Sequence, residues 1–584
     1  MRVDLLRLSG GPAGLVLANR LSEDPSLSVA IIEAGGYADN VIGNISEVPG
    51  LDFNFLITPP PTEIAEIEWG FNTTPQYIFN GSTTEYTRAK ALGGCTIVHY
   101  MAYSQSSYGA FQKWADTVDD DSYTYPNFSA YYRKSMDFDA STINSRYPNA
   151  TPTYDATVTV EGGPLGVSFP AFAQSWSTWV ARGLEAVGIQ PRGALIDGTL
   201  SGATWQINTI NATTGLRASA EASYLRPVKE RSNLFVFNGT LAEKVLFDGN
   251  QAATGVLVTT GTTSYTLSAA REVIISGGTF QSPQLLMVSG VGPADTLAQY
   301  DIPLVADRPG VGQGMNDHVM FGISYQANVE TLSAYSVGDN LAVANAEFVA
   351  NRTGPLASPG GDFVALEKLP ASYRASLSNK TQEALASYPE DWPEIEFLVL
   401  PVFAGNQNTP NAASPDLPAT VAGANYGTLL AVLQVPQSRG NVTISSASMS
   451  DAPVINPAWL TDARDREVFI AAFKRAREVL SVDEMKPVLI GDEFYPGPQV
   501  QTDEEIMDYI ATSLGVLYHA SATCAMGTAD DPLAVVDSRG KVFGTKNLRV
   551  VDASALPFLP PGPGPQVTVY ALAEKIADTI KNEH

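Results

Sequence analysis

The sequence predicts an α/β chain: a Rossmann-like dinucleotide-binding domain joined to an α+β domain that carries an antiparallel sheet. Three observations predict it. The first fifty residues read as strand, glycine turn, helix, strand and acid, in that order. REVIISGGTFQSPQLLMVSGVGP, residues 271 to 293, repeats the strand, turn and helix. The stretches DFVALEKLP, EIEFLVLPVF and YGTLLAVLQVPQ then give strands separated by long loops, rich in β-branched and aromatic residues.

In the first unit, LRLSGGPAGLVLANRL precedes SVAIIEAGG. Pro12 suits a first helical position, and Leu15, Leu17 and Leu21 share parts of one apolar face. Ser28 to Ile32 reads as a buried strand ending in Glu33. Glycines allow close approach to a pyrophosphate, the helix N-terminus offers free N–H groups, and an acid about 20 residues on takes ribose hydroxyls. Two residues break the pattern. Ser9 stands at the first glycine position, and Arg7 falls in a strand that should be apolar, where an unpaired charge is costly. Both are expected if this N-terminus is altered, by a mistaken start or splice.

The chain has 584 residues and a formal charge of −26, so two domains or one elaborated domain is expected. The acid is spread along the chain, and such a surface disfavours nucleic acid as a partner. No apolar run approaches the roughly 20 residues of a membrane span. Cys95 and Cys524 are the only cysteines, too few for a disulfide framework, although one bridge stays open. Neither has His or Cys neighbours at zinc-ligand spacing, so no metal is expected. Ten N-x-S/T sequons stand at Asn44, Asn72, Asn80, Asn127, Asn149, Asn211, Asn238, Asn351, Asn379 and Asn441. Composition alone predicts roughly four. The excess points to a secreted glycoprotein, yet MRVDLLRLSGG lacks an apolar signal core, which leaves an intracellular alternative.

Four further stretches complete the pattern: TRAKALGGCTIVHYMAYSQSS (87 to 107), PGVGQGMNDHVMF (309 to 321), GVLYHASATCAMG (515 to 527) and NLRVVDASALPFLPPGPGPQVTVYALAEKIADTI from Asn547. The last reads as a strand, a proline-rich loop and an amphipathic helix from about Gln566. Together with Gly278 to Gly292, these segments resemble the glucose–methanol–choline family of FAD oxidoreductases, nearly end to end. In detail they are most similar to its fungal aryl-alcohol-oxidase-like branch.

The resemblance implies a discontinuous FAD-binding domain over 1–165, 205–315 and 512–584, with the substrate domain over 166–204 and 316–511. It implies pyrophosphate on Gly11, Pro12, Ala13 and Gly14, and the adenosine ribose on Glu33 and Ala34. Leu241 would meet adenine. His99, Tyr100, Met101 and Ala102 would run along the flavin beside Gly94 and Cys95. Asp552, Ala553, Gln566 and Val567 would cover the ribityl and pyrimidine end. His519 matches the family's catalytic histidine: a neutral imidazole takes the alcohol proton while the carbon gives hydride to the flavin. A second His or Asn usually stands opposite; here that position is Gly564. Its lack of a side chain puts activity in doubt, and a histidine restored there is expected to raise alcohol oxidation. His318 is expected to be structural and His584 a disordered terminus.

The implied function is oxidation of a primary alcohol, aromatic or allylic, with oxygen or a quinone as electron acceptor. Two alternatives stand beside it: a lyase or other non-redox relative that keeps FAD, and a degenerate member with impaired FAD binding or catalysis. The sequence fixes neither the alcohol nor an oligomeric state. FAGNQNTPNAASPDLPAT, 403 to 420, reads as a surface loop at the pocket mouth.

Overall fold

The computed structural model describes residues 2–56, 62–336, 339–405, 421 and 423–583. Most of the expected 403–420 loop, and His584, lie outside the described residues. In chain order, β1 (Arg2–Leu8), α1 (Pro12–Leu21) and β2 (Val29–Ile32) open a first sheet. The strand β3 (Gly202–Trp205) belongs to a second. Then β4 (Leu234–Phe237), β5 (Thr240–Phe247), β6 (Ala253–Thr260) and β7 (Thr263–Ile275) return to the first, followed by α2 (Gly278–Val288). The second sheet resumes with β8 (Val319–Ala327), β9 (Phe363–Glu367), β10 (Ile395–Leu400), β11 (Tyr426–Leu433), β12 (Leu489–Tyr495) and β13 (Gly515–Val516). The strand β14 (Leu548–Val550) rejoins the first sheet, and α3 (Gln566–Glu583) closes the chain.

The first sheet runs β4-β2-β1-β7-β6-β5, with β14 also paired to β7. Its β4-β2-β1-β7-β14 portion is parallel. Parallel strands are covered on both faces, which is why β2 is wholly apolar and the buried residues of β1, Arg7 apart, are Val3, Leu5, Leu6 and Leu8. All four residues of β2 are buried, and α1 and α3 pack on each other. Arg7 is the exception in β1. It is fully buried, between Ile31 and Ile274 on the neighbouring strands, and none of its three side-chain nitrogens has a hydrogen-bond partner. Burial, with Arg549 nearby, pushes its guanidinium down to about 9, against the pull of Glu272.

The second sheet runs β12-β8-β11-β10-β9-β3, with β13 on β8, and every pairing is antiparallel. The three strand-rich stretches of the sequence are its β9, β10 and β11. Its register sets Gly515, Met320, Val432 and Glu396 in one row across β13, β8, β11 and β10. Alternation along a strand has period two, so Glu396, Leu398 and Leu400 share one face. Membership in this sheet extends to Gly515 and Val516, which the sequence reading set with the nucleotide-binding part.

Candidate active site

One face of the second sheet and the turns at the ends of the first-sheet strands enclose a cavity of about 380 Å³. Its wall includes Gly11, Pro12, Ala13, Glu33, Ala34, Gly94, Cys95, His99, Tyr100, Met101, Ala102, Leu241, Asp552, Ala553 and Gln566, with His519 and Gly564. Gly14 and Val567 are not part of that wall. Gly14 is a packing residue: a Cβ there would stand 2.1 Å from the Ser9 carbonyl oxygen, so only glycine lets α1 sit against the turn. Val567 is the second residue of α3 and is wholly buried among core residues.

The turn after β1 carries the sequence's irregularity. Ser9 has φ of +106°, backbone that glycine adopts freely and serine does not. Its hydroxyl donates to Glu33 Oε2 at 3.2 Å and accepts from the Gly11 N–H at 3.3 Å. Glu33 also accepts the N–H groups of Gly10 (2.8 Å) and Gly35 (2.9 Å), which hold it at the end of β2. Burial still raises this carboxyl above its ordinary range.

Further along the wall, the His99 ring is pinned. Its Nδ1 accepts the Met101 N–H at 2.9 Å, and Arg217 donates to the His99 carbonyl. An accepting Nδ1 leaves the hydrogen on Nε2. That Nε2 is buried without a partner, as are Gln566 Oε1 and Ser276 Oγ. Gln566 is itself fixed, donating from Nε2 to the Ala102 carbonyl at 2.6 Å. Burial and Arg217 push His99 down to about 3, so it is neutral. Asp552 spends its oxygens on the N-terminus of α2, accepting from Gly278 N–H (2.9 Å) and Ser282 Oγ (2.6 Å), and on Ser554 N–H (2.7 Å). A slot with unpaired donors and acceptors at one end and a glycine turn at the other fits a flavin dinucleotide.

His519 follows β13 in a tightly held segment. The Tyr86 hydroxyl accepts the Ala520 N–H at 3.3 Å and donates to Asp317 at 2.7 Å, and Thr279 donates to the Ala520 carbonyl at 2.6 Å. His519 Nδ1 lies 3.1 Å from Nδ1 of His318, which is completely buried. The sequence reading gave His318 a structural part only; it is the direct neighbour of His519. Burial first, then Arg88, pushes His519 down to about 3, and burial holds His318 well below its ordinary range. Both rings are therefore neutral. One Nδ1 donates and the other accepts. With the hydrogen on His519 Nδ1, its Nε2 keeps a lone pair on the side of Gly564.

Gly564 has φ of +148°, and a Cβ there would meet His519 Nε2 at 3.1 Å. A histidine here, which the sequence reading expects to raise alcohol oxidation, meets both constraints. The backbone disfavours any side chain, and the space belongs to the imidazole. The Gly562 N–H, in the same loop, donates to Gln434 Oε1 at 2.8 Å.

Two family models, both described as GMC oxidoreductase, match residues 8–320 and 436–573. The chain belongs to the GMC oxidoreductase family. A GMC oxidoreductase named mfmG from Annulohypoxylon moriforme is 51% identical over 99% of this chain and 94% of its own length. Patulin synthase from Penicillium expansum is 47% identical over 99% of this chain and 91% of its own. Among solved structures, an FAD-dependent oxidoreductase from Chaetomium thermophilum superposes with a TM-score of 0.86 at 26% identity, over 100% and 99% of the two chains. A fungal aryl-alcohol oxidase shares the fold, with a TM-score of 0.80 at 22% identity over 100% and 99%. GMC oxidoreductases are FAD-dependent flavoproteins, in accord with the slot described above.

Several wall residues escaped the sequence reading. Met320, Leu398, Leu400 and Leu430 line the cavity from the second sheet, with Glu396 and Gln206 among them. A signal for Glu396 was present: a lone carboxylate on an otherwise apolar strand, IEFLVL. Both cysteines are free thiols, and among the described residues no group of three His, Cys, Asp or Glu could hold a metal ion.

Proposed function

We propose that this GMC oxidoreductase oxidises the CH–OH group of a primary, aromatic or allylic alcohol, with His519 as the base. When bound, FAD supplies the two-electron hydride acceptor that no side chain can be. The observation that carries the reading is the neutral His519 ring, backed by His318 and open at Nε2 to the cavity. The alcohol O–H bond breaks toward Nε2. The proton then rests on an imidazolium whose Nδ1–H keeps the lone pair of His318 Nδ1 as its acceptor. Positioned proton transfer of this kind contributes roughly 10²–10⁴ in rate. The Tyr86–Asp317 pair holds the segment, and the apolar side chains of the second sheet keep water from the reacting carbon.

A second reading, a flavoprotein without redox turnover, is favoured by Gly564, which offers no side chain opposite His519. The test is anaerobic: the purified yellow protein is mixed with a panel of benzylic and allylic alcohols and its visible absorbance followed. Bleaching is expected, and His519→Asn is expected to slow it by about 10²-fold or more. A flavin that stays oxidised with every alcohol would sink the first reading.

Oxygen or a quinone is proposed as electron acceptor. A secretory route is supported by the sequons, since eight of the ten asparagines are exposed and Asn211 and Asn441 are half-buried. Loss of mass on enzymatic removal of N-glycans from the native-source protein is the expected result; no loss would count for the intracellular alternative.

A further inference from the structure

A buried polar chain ties the second sheet to the loop beside His519, and the mechanism above does not use it. Glu396, on β10, and Gln434, just past the end of β11, are each 1% exposed. Val432 pairs with Glu396, and Gln434, two residues on, shares its face. Gln434 Nε2 donates to Glu396 Oε2 at 2.5 Å, and Gln434 Oε1 accepts the Gly562 N–H at 2.8 Å. Gly562 fixes the direction of this chain. A backbone N–H can only donate, so the amide oxygen faces the loop and the amide nitrogen faces the acid. The backbone of Gln434 is held too: its N–H donates to the Glu394 carbonyl and its carbonyl accepts from Trp392 Nε1, both at 3.0 Å.

The loop needs such an anchor. Residues 560 to 565 read PPGPGP, and proline has no N–H, so Gly562 and Gly564 carry the only amide hydrogens there. That of Gly562 is spent on Gln434, and Ser106 Oγ donates to the Pro561 carbonyl at 2.9 Å. Two residues after Gly562 the chain passes His519. A Cβ on Gly564 would stand 3.1 Å from Nε2, so the Gly564 Cα lies at most one bond length, about 1.5 Å, farther away. Pro563, Gly564 and His519 all line the cavity, as does Glu396. Burial lifts Glu396 to about 8, so near neutral pH it is mostly a carboxylic acid and the chain is largely uncharged.

We propose that Glu396 and Gln434 are positioning residues: through Gly562 they hold the loop that faces His519 Nε2, and so set the gap in which the alcohol O–H meets that nitrogen. The alcohol in this statement rests on the alcohol-oxidation reading; the placement of the loop does not. Without its anchor the loop shifts, and a misplacement of about 1 Å between reacting groups can cost on the order of 10² in rate. Binding, which draws on the whole wall, changes far less.

The test uses the full-length flavin-loaded protein and the fastest alcohol of the panel above. The limiting rate of anaerobic flavin bleaching and the apparent dissociation constant are measured together. Gln434→Leu is expected to lower the limiting rate about tenfold or more, with the dissociation constant within about threefold. Glu396→Leu is expected to lower the rate less, since Gln434 keeps its bond to Gly562 and loses only its orientation. Glu396→Gln, whose amide oxygen still accepts from Gln434, is expected to keep the rate. So is the exchanged pair, Glu396→Gln with Gln434→Glu, in which the new acid accepts from Gly562. Flavin content and unfolding temperature check the folding of each variant. An unchanged rate in Gln434→Leu, a rate lost in Glu396→Gln, or an exchanged pair no faster than Gln434→Leu would overturn the proposal. A crystal structure of Gln434→Leu reads the loop directly: Gly564 displaced from its place beside His519 is expected, and an unmoved loop overturns the proposal. If no alcohol bleaches the unaltered protein, alcohol oxidation fails and the crystal structure alone decides the positioning role.

Discussion

At the scale of single residues, the three positions that the sequence reading set apart as irregular each have a physical consequence. Gly564 is one. Its φ and the 3.1 Å approach to His519 Nε2 make it a clearance residue. Gly564→Ala is expected to cost about 1–3 kcal/mol from backbone strain and to lower turnover by displacing the imidazole. Gly564→His is expected to lower turnover further. Denaturation midpoints and single-turnover bleaching check both, and a faster histidine variant would refute the clearance role. Arg7 is the second point. A guanidinium with no hydrogen-bond partner inside a parallel sheet is better replaced by an apolar side chain. Arg7→Val is expected to stabilise the chain by about 1–4 kcal/mol in urea denaturation. A loss of stability would mean the charge is compensated by its surroundings. Ser9, the third, was recognisable from the sequence as a misfit, and its φ of +106° is the same misfit in angular form. Glu396 and Gln206 were not recognised, because a polar residue in an apolar strand says nothing of which wall it faces until the strands are paired.

At the scale of elements, most of the architecture was legible. Pro12 opens α1, Gln566 opens α3, and the three strand-rich stretches are adjacent strands, because period and end signals are local properties. What escaped was contact across the sequence. His318 and His519 lie 201 residues apart and meet only because β8 pairs with β13. The docking of α3 is also non-local. Glu574, with a wholly buried side chain, accepts from Arg20 Nε at 2.8 Å and from the Tyr224 hydroxyl at 3.1 Å. Glu574→Ala leaves that arginine only the more exposed Glu23 carboxylate, 3.1 Å from Nη1, and strips Lys134 and the Tyr224 hydroxyl of the same partner. It is expected to cost about 3–5 kcal/mol and to shed flavin, since the first turn of α3 lines the cofactor slot. Thermal unfolding and the flavin-to-protein absorbance ratio measure the two effects. Stable protein with full flavin would show that packing alone holds the helix.

At the scale of the whole molecule, the cavity takes its walls from distant parts of the chain. Leu8 and Ser9 contribute near one end, Gln566 and Val569 near the other, and the second sheet from the middle. The sheet-to-sheet meeting that seals the slot was not legible in the sequence, for it depends on register and on side chains hundreds of residues apart.

That arrangement has a consequence for biosynthesis. The segment from strand β14, which pairs with β7, through helix α3 leaves the ribosome after every other part of the slot has been made. A nascent chain therefore cannot enclose its coenzyme while it is being made, although its opening βαβ unit can already form. Loading must wait for these two elements, and a truncation upstream of Leu548 would release a polypeptide with an unroofed groove.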